Sequence, residues 1–305
     1  MSRLDPIALQ VMVGALRAAC EEMGVVLVRS AHSANIKERR DASTGLFDAQ
    51  GRMVMQAEHI PVHLGAMPSA VAAVLGEEQR PGESWVLNDP YRGGTHLPDI
   101  TVISPLFADS ELAGFAASRA HHADVGGAEP GSMPADSRSL EDEGVVIAPR
   151  RLDDEAVREL AGRMRNPRQR EADLRAQLAA NRSGAERVGA LADRYGLDTV
   201  RAAMEETLDY AERRTRARIA ELDDGERQAS DVLEAGDEDL ELRLTATVDG
   251  EAVTLDFTGS AEQHEGNLNC PLPVTLSACY FALRVLTDPD VPPCEGAYRP
   301  LTVVA

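Results

Sequence analysis

Two short stretches of this chain concentrate side chains able to hold a cation. The first is Asn88-Asp89-Pro90-Tyr91-Arg92-Gly93-Gly94-Thr95-His96-Leu97-Pro98-Asp99, and the second is Arg119-Ala120-His121-His122-Ala123-Asp124-Val125-Gly126-Gly127. Both lie at the ends of predicted strands, where loops held by a rigid sheet carry function. Apolar runs at Ile100–Phe107 and Leu112–Ala117 flank the polar Asp109-Ser110-Glu111, which reads as a hairpin. With the turn centred on Ser110, Asp99 and His121 are equidistant from it and face one another across the ladder. Directly opposed residues have Cβ atoms about 4.5–5.5 Å apart, close enough to share one ion. His96, three residues before Asp99, adds a third donor. Two imidazoles and one carboxylate suit a divalent Mn, Fe or Zn ion and supply too few oxygens for calcium. Any one of these histidines would as readily close a hydrogen bond at a strand end; the three residues together point to metal.

Other titratable groups are less specific. His122 and Asp124 neighbour the cluster; one of them is assigned a proton-transfer or orienting role, with a purely structural role as the open alternative, because a residue adjacent to a ligand on a strand points to the opposite face. His59 and His63 stand four apart, but Pro61 between them argues against the helix that would align them for zinc, so they are assigned to a substrate pocket or a cap, with Arg119 also on the substrate side. Lys37-Glu38-Arg39-Arg40-Asp41 reads as a solvated loop or an anion-binding corner. The run Gly93-Gly94-Thr95 lacks phosphate-loop spacing, and Pro98 prevents the helix that would cradle a phosphate, so nucleotide chemistry is expected on a different chain.

The elements that must position these groups follow from periodicity. Asp5 before Pro6 starts a helix whose apolar face is Leu9, Val13, Leu16, Cys20, Met23 and Leu27, running to about Arg29. Leu46-Phe47 and Met53-Val54-Met55 form a hairpin, Met67–Leu75 a short helix, and Trp85-Val86-Leu87 a strand. From about Asp153 to Leu222 the chain turns to Arg, Glu, Ala and Leu, predicting three or four helices with breaks near Asn166-Pro167, Ser183-Gly184 and Tyr195-Gly196. A hairpin of Leu242–Val248 with Ala252–Phe257 follows, then a helix over Pro273–Leu286 and a strand from Leu301. The expected class is α+β, with antiparallel or mixed sheets. Its expected parts are a metal-binding portion at 1–152, a helical segment at 153–235 and a second β-rich part at 236–305, the last predicted to be incomplete.

Composition narrows the partners. With 51 acidic against 31 basic residues the net charge is −20, a field that repels nucleic acid and anionic membrane. Neither a signal peptide nor a spanning helix is visible, so a cytoplasmic location is expected. Cys20, Cys270, Cys279 and Cys294 show no paired spacing and read as reduced thiols.

At these motifs the sequence resembles the hydantoinase B/oxoprolinase family. The likeness runs through Asp5-Pro6, Asn35–Asp41, His59-Ile60-Pro61-Val62-His63-Leu64-Gly65, both metal segments, Asp173-Leu174-Arg175-Ala176-Gln177 and Asp288-Pro289-Asp290-Val291-Pro292-Pro293, and the Gly-Gly-Thr-His-Leu-Pro-Asp run is its most specific part. The resemblance implies a manganese or zinc ion at His96, Asp99 and His121. It also implies a hydantoinase A-type ATPase partner in a hetero-oligomer, which uses ATP to phosphorylate and so activate a cyclic amide that water then opens. Ketone carboxylase subunits share the pattern and form the alternative, and a truncated scaffold that only binds the ATPase is the non-enzymatic one. B-type chains of the family extend past the position of Ala305, so a fragment or a split gene is expected.

Overall fold

Helix α1 (Pro6–Ser30) starts as the sequence dictates, with the Asp5 carboxylate accepting from the backbone N–H of Ile7 and Ala8, and it buries Leu9, Val13, Leu16, Cys20, Met23 and Leu27. These positions come from a computed structural model that describes residues 4–236 and 238–305. A one-turn helix α2 (Ala34–Lys37) leads to the hairpin β1 (Ala42–Asp48) and β2 (Met53–Glu58), then to helix α3 (Ala66–Ala72) and strand β3 (Trp85–Leu87). The central hairpin is β4 (Asp99–Ala108) with β5 (Glu111–His121), followed by α4 (Leu140–Glu143) and β6 (Arg150–Arg151). Helices α5 (Asp154–Arg163), α6 (Pro167–Tyr195) and α7 (Leu197–Ile219) come next. Strands β7 (Gly225–Ala235), β8 (Glu238–Asp249) and β9 (Ala252–Asp256), helices α8 (Leu272–Leu286) and α9 (Glu295–Tyr298), and β10 (Leu301–Val304) complete the chain.

The first sheet is antiparallel throughout, in the order β2-β1-β5-β4-β3-β6. The second, β10-β9-β8-β7, is mixed because β10 runs parallel to β9. The α+β expectation is met. Two details differ from the sequence reading. Residues 225–235, expected within the helical segment, form β7 and pair with β8. Helix α6 passes without interruption through Ser183-Gly184, because Gly184 is where α1 comes close: a Cβ there would lie 2.5 Å from the Met23 Sδ. That glycine permits a crossing rather than ending a helix.

Side chains alternate across the first sheet, so its two faces do different work. Ala42, Leu46, Ala116 and Ala120 pack toward α1 and α6. Phe47, Ile103, Phe115 and Ala117 pack toward Met67, Ala70 and Val71 of α3, Leu283 of α8 and Tyr298 of α9. Arg119 and His121 share the parity of Phe115 and Ala117. They therefore lie on the α3/α8 side.

The register of β4 with β5 depends on one extra residue. Asp109 and Ser110, with φ of 51° and 65°, form a two-residue turn between Ala108 and Glu111, and Phe107 faces Leu112. The next pair is Leu106 with Gly114, so Ala113 is a β-bulge and every later partner shifts by one. Without it Asp99 would face Ala120; with it Asp99 faces His121. Gly114 beside the bulge sits so near β1 that a Cβ would be 2.0 Å from the Phe47 carbonyl oxygen. Gly114→Ala is expected to destabilise the fold by about 1–3 kcal/mol, the usual cost of overpacking, measured by chemical denaturation. A variant as stable as the parent would show that β1 and β5 are free to separate there.

Candidate metal centre

Asp99 opens β4 and is 1 % exposed. The turn before it is held on several sides. Asn88, fully buried, donates its amide to the Leu97 and Val145 carbonyls and accepts from the Ile147 N–H. The Asp99 N–H donates to the His96 carbonyl, and Thr95 Oγ1 donates to Asp99 Oδ2 at 2.9 Å. Arg119 reaches the same turn from β5, with Nη2 donating to the Gly93 carbonyl and Nε to Thr101 Oγ1.

These constraints converge three side chains. His96 Nδ1 is 3.2 Å from Asp99 Oδ2, His121 Nδ1 is 3.4 Å from Asp99 Oδ1, and His96 Nε2 is 3.1 Å from His121 Nδ1. One ligand atom from each residue falls within 4.8 Å of the others. His96 is the solvent-facing member, its side chain 42 % exposed, whereas Asp99 is enclosed. Burial alone would raise the Asp99 carboxyl, but the imidazoles of His121, His63 and His96 aimed at it hold it well below the usual carboxylate range. Burial likewise opposes protonation of His96, and the Asp99 carboxylate outweighs it and raises the imidazole. The Arg119 guanidinium is pulled down to about 10 by burial, against the opposing field of Asp99.

Two further residues join this group that sequence reasoning did not assign to it. Asp41 Oδ2 lies 3.7 Å from His121 Nδ1, and the Asp41 carbonyl accepts from the His121 N–H, extending the β1/β5 ladder by a step. Its signal was hidden at the end of a charge run that reads as solvated loop. His63 is fully buried, and its Nε2 stands 3.5 Å from Asp99 Oδ2. Pro61 does exclude an α-helix, as expected, and a 3₁₀ turn over Pro61–His63 replaces it. That turn separates the histidine pair: His59 is exposed with its ring nitrogen 3.3 Å from the Ala42 carbonyl, while His63 points inward.

The residues expected to move protons lie outside the cluster. His122 turns to the α6 side of the sheet, fully buried, with Nε2 3.0 Å from Gln177 Oε1, and burial pulls it down to about 4. Asp124 accepts from the Gly126 and Gly131 N–H groups, Ser132 Oγ and Arg165, which makes it the clamp of its own loop. Alternation along the strand sends residue 122 away from the face that carries 121.

The donor set fits a divalent transition ion. Asp99 Oδ1 and His63 Nε2 are buried with no hydrogen-bond partner, a costly state for polar atoms that a bound cation would relieve. Asp41 and Asp99 set two carboxylates against the guanidinium of Arg119, which favours a cation. Nitrogen and oxygen donors in this mixture suit Mn, Fe or Zn.

Residues 5–305 match the family model for hydantoinase B/oxoprolinase. The chain belongs to that family. Among its relatives, the 5-oxoprolinase of Dictyostelium discoideum is 36 % identical over 319 residues, covering 99 % of this chain and 25 % of that protein. The 5-oxoprolinase of Saccharomyces cerevisiae is 35 % identical over 324 residues, covering 98 % of this chain and 25 % of the relative. The crystal structure of the ATP-dependent caprolactamase from Pseudomonas jessenii superposes with a TM-score of 0.93 at 30 % identity, over 100 % of this chain and 54 % of that one. The chain thus spans a quarter to just over half the length of these family members. Among the described residues, no helix is long and apolar enough to cross a membrane.

Proposed function

We propose that this chain is the metal-bearing B-type part of an ATP-dependent cyclic amide hydrolase, with ATP consumed by a hydantoinase A-type partner. The observation that carries the reading is the convergence of His96, Asp99 and His121 on one point, around a carboxylate kept ionised, in a chain akin to a 5-oxoprolinase and a caprolactamase. His96, Asp99 and His121 would hold the ion. Once bound, it supplies Lewis acidity toward a carbonyl oxygen.

The chain's own residues provide the rest. The β4/β5 ladder fixes Asp99 against His121, so the two donors need no rearrangement to meet a ligand. His96, on the turn and half exposed, marks the side from which a small amide enters. Arg119, fully buried, ties the Gly93 carbonyl down and so holds the turn that carries His96.

The test reconstitutes the chain with an A-type ATPase and offers 5-oxoproline, a hydantoin or caprolactam with ATP. Ring opening that needs ATP, needs no bicarbonate and is lost on chelation is expected. Consumption of a ketone only in the presence of bicarbonate would move the chain to the carboxylases, and a metal-free chain that only binds its partner would make it a scaffold.

A further inference from the structure

We propose that the exposed apolar face of the β7/β8 ribbon is the surface on which the A-type ATPase docks, through a patch of that partner that is apolar and edged by arginine or lysine. The inference rests on the two-chain reading above and deepens it by placing the contact.

The sequence of β8 alternates strictly from Leu240 to Val248: Leu240-Glu241-Leu242-Arg243-Leu244-Thr245-Ala246-Thr247-Val248. This is the pattern of an antiparallel strand with one face buried. The inner end of the apolar row is covered by the protein itself, since Val248, across from Val253 of β9, packs with Leu255 against the core around Ile219 of α7. The outer end is not. Leu242 is 48 % exposed, and Leu233, directly across the ladder from Leu240, is 39 % exposed. The register puts Leu233, Leu240, Leu242 and Leu244 on the same face as Val248. Strand β7 lies at the edge of its sheet, paired on one side. A two-stranded ribbon with its apolar face in water is marginally stable at best. A row of leucines that begins in the core and runs out past it is a surface built to be covered.

Charge selects what covers it. Asp231 and Glu238 border the leucines on their own face, opposite Leu242 and Ala235. On the reverse face Glu234 stands directly opposite Asp239, a like-charge pair that weakens the ribbon. Arg227 shares the leucine face but lies toward its inner end, opposite Ala246, with its guanidinium donating to the Asp223 carbonyl. A second copy would set the same carboxylates against each other, on a chain whose net charge is already −20. A partner with basic side chains around an apolar patch buries the leucines and offsets the acids.

The experiment measures binding of the full chain to an A-type ATPase by surface plasmon resonance over a range of salt, for the parent, for Leu233→Ser with Leu242→Ser, and for Asp231→Asn with Glu238→Gln. All four side chains are exposed, so both variants should keep the parental circular dichroism and Mn(II) affinity. Affinity is expected to fall about 10-fold or more in the leucine variant. The charge variant is expected to associate more slowly and to lose most of the salt dependence. Parental affinity in the leucine variant overturns the proposal, and parental salt dependence in the charge variant overturns the basic-edged partner. Self-association of the parent in sedimentation velocity that vanishes in the leucine variant would give the face to a second copy and overturn it too. A parent that does not bind the ATPase overturns the two-chain reading together with this inference, whereas equal binding by parent and leucine variant overturns this inference alone.

Discussion

Asp99→Asn should strip the centre of its ion. The substitution keeps the shape of the side chain, and Thr95 Oγ1 can still donate to the remaining oxygen. It removes the one anion on which three imidazoles converge, and it presents an NH₂ where a lone pair is needed. Affinity for Mn(II) or Zn(II) is expected to fall by about 100-fold or more, since altering even outer partners of a metal site costs 10- to 100-fold. Metal content after dialysis should drop from stoichiometric to trace, and ATP-dependent amide hydrolysis in the reconstituted complex should drop with it. The folded content by circular dichroism should stay close to that of the parent, because β4 and β5 are held by their ladder and not by the ion. A variant that keeps stoichiometric metal at parental affinity would remove Asp99 from the centre and, with it, the mechanism.

The second large effect is on stability. Asp173 on α6 is fully buried, and four groups serve it: the backbone N–H of His32 and Ser33 at 2.7 and 3.0 Å, the Ser33 hydroxyl, and Arg170 Nη2 at 3.0 Å. Arg170 is itself fully buried, and burial pulls its guanidinium below its ordinary value. Asp173→Ala leaves that cation without its anion and frees the turn between α1 and α2. The expected cost is about 3–5 kcal/mol, the penalty for removing one partner of a buried ion pair. Thermal unfolding of Asp173→Ala against Asp173→Asn, which keeps an acceptor for the two N–H groups, separates the charge from the hydrogen bonds. A loss under about 1 kcal/mol would mean that water reaches Arg170.

Asp173 also sets an acid limit. Burial pushes its carboxyl up, but the charge of His122 and the hydrogen bonds from Ser33 and His32 outweigh that and leave it below its ordinary 3.8. His122, neutral near pH 7 because burial holds it at about 4, adds its charge only in acid. For a carboxyl whose folded value is depressed, the stabilisation is complete above the unfolded value and disappears as pH falls through the folded one. The parent and Asp173→Ala should therefore differ fully at neutral pH and converge below pH 3.8.

Much of this was legible in the chain because local rules govern it. Asp5-Pro6 and the apolar spacing from Leu9 to Leu27 fix the first helix, since capping and amphipathicity are properties of a short window. The two apolar runs on either side of Asp109-Ser110-Glu111 fix the central hairpin for the same reason. Counting outward from Ser110 paired Asp99 with His121, and the pairing is right although the turn is centred half a residue earlier. The bulge at Ala113 supplies the difference. Nothing in the single strand announces it, because the bulge is permitted by how closely β1 approaches Gly114.

Local pattern was thus enough for most of the elements, for the family and for the trio His96, Asp99 and His121, which lie at the ends of one hairpin and depend on nearby residues. It took the assembled fold to bring Asp41 and His63 to them, to turn His122 and Asp124 away, and to make Gly184 a helix crossing instead of a helix end. Each of those outcomes depends on contacts between segments distant in the chain, such as the hold of Ser277 on the turn at Val62–Gly65 and of Asp173 on Ser33. Such contacts have no local pattern: they exist only once the sheet has brought its two faces against α3, α6 and α8.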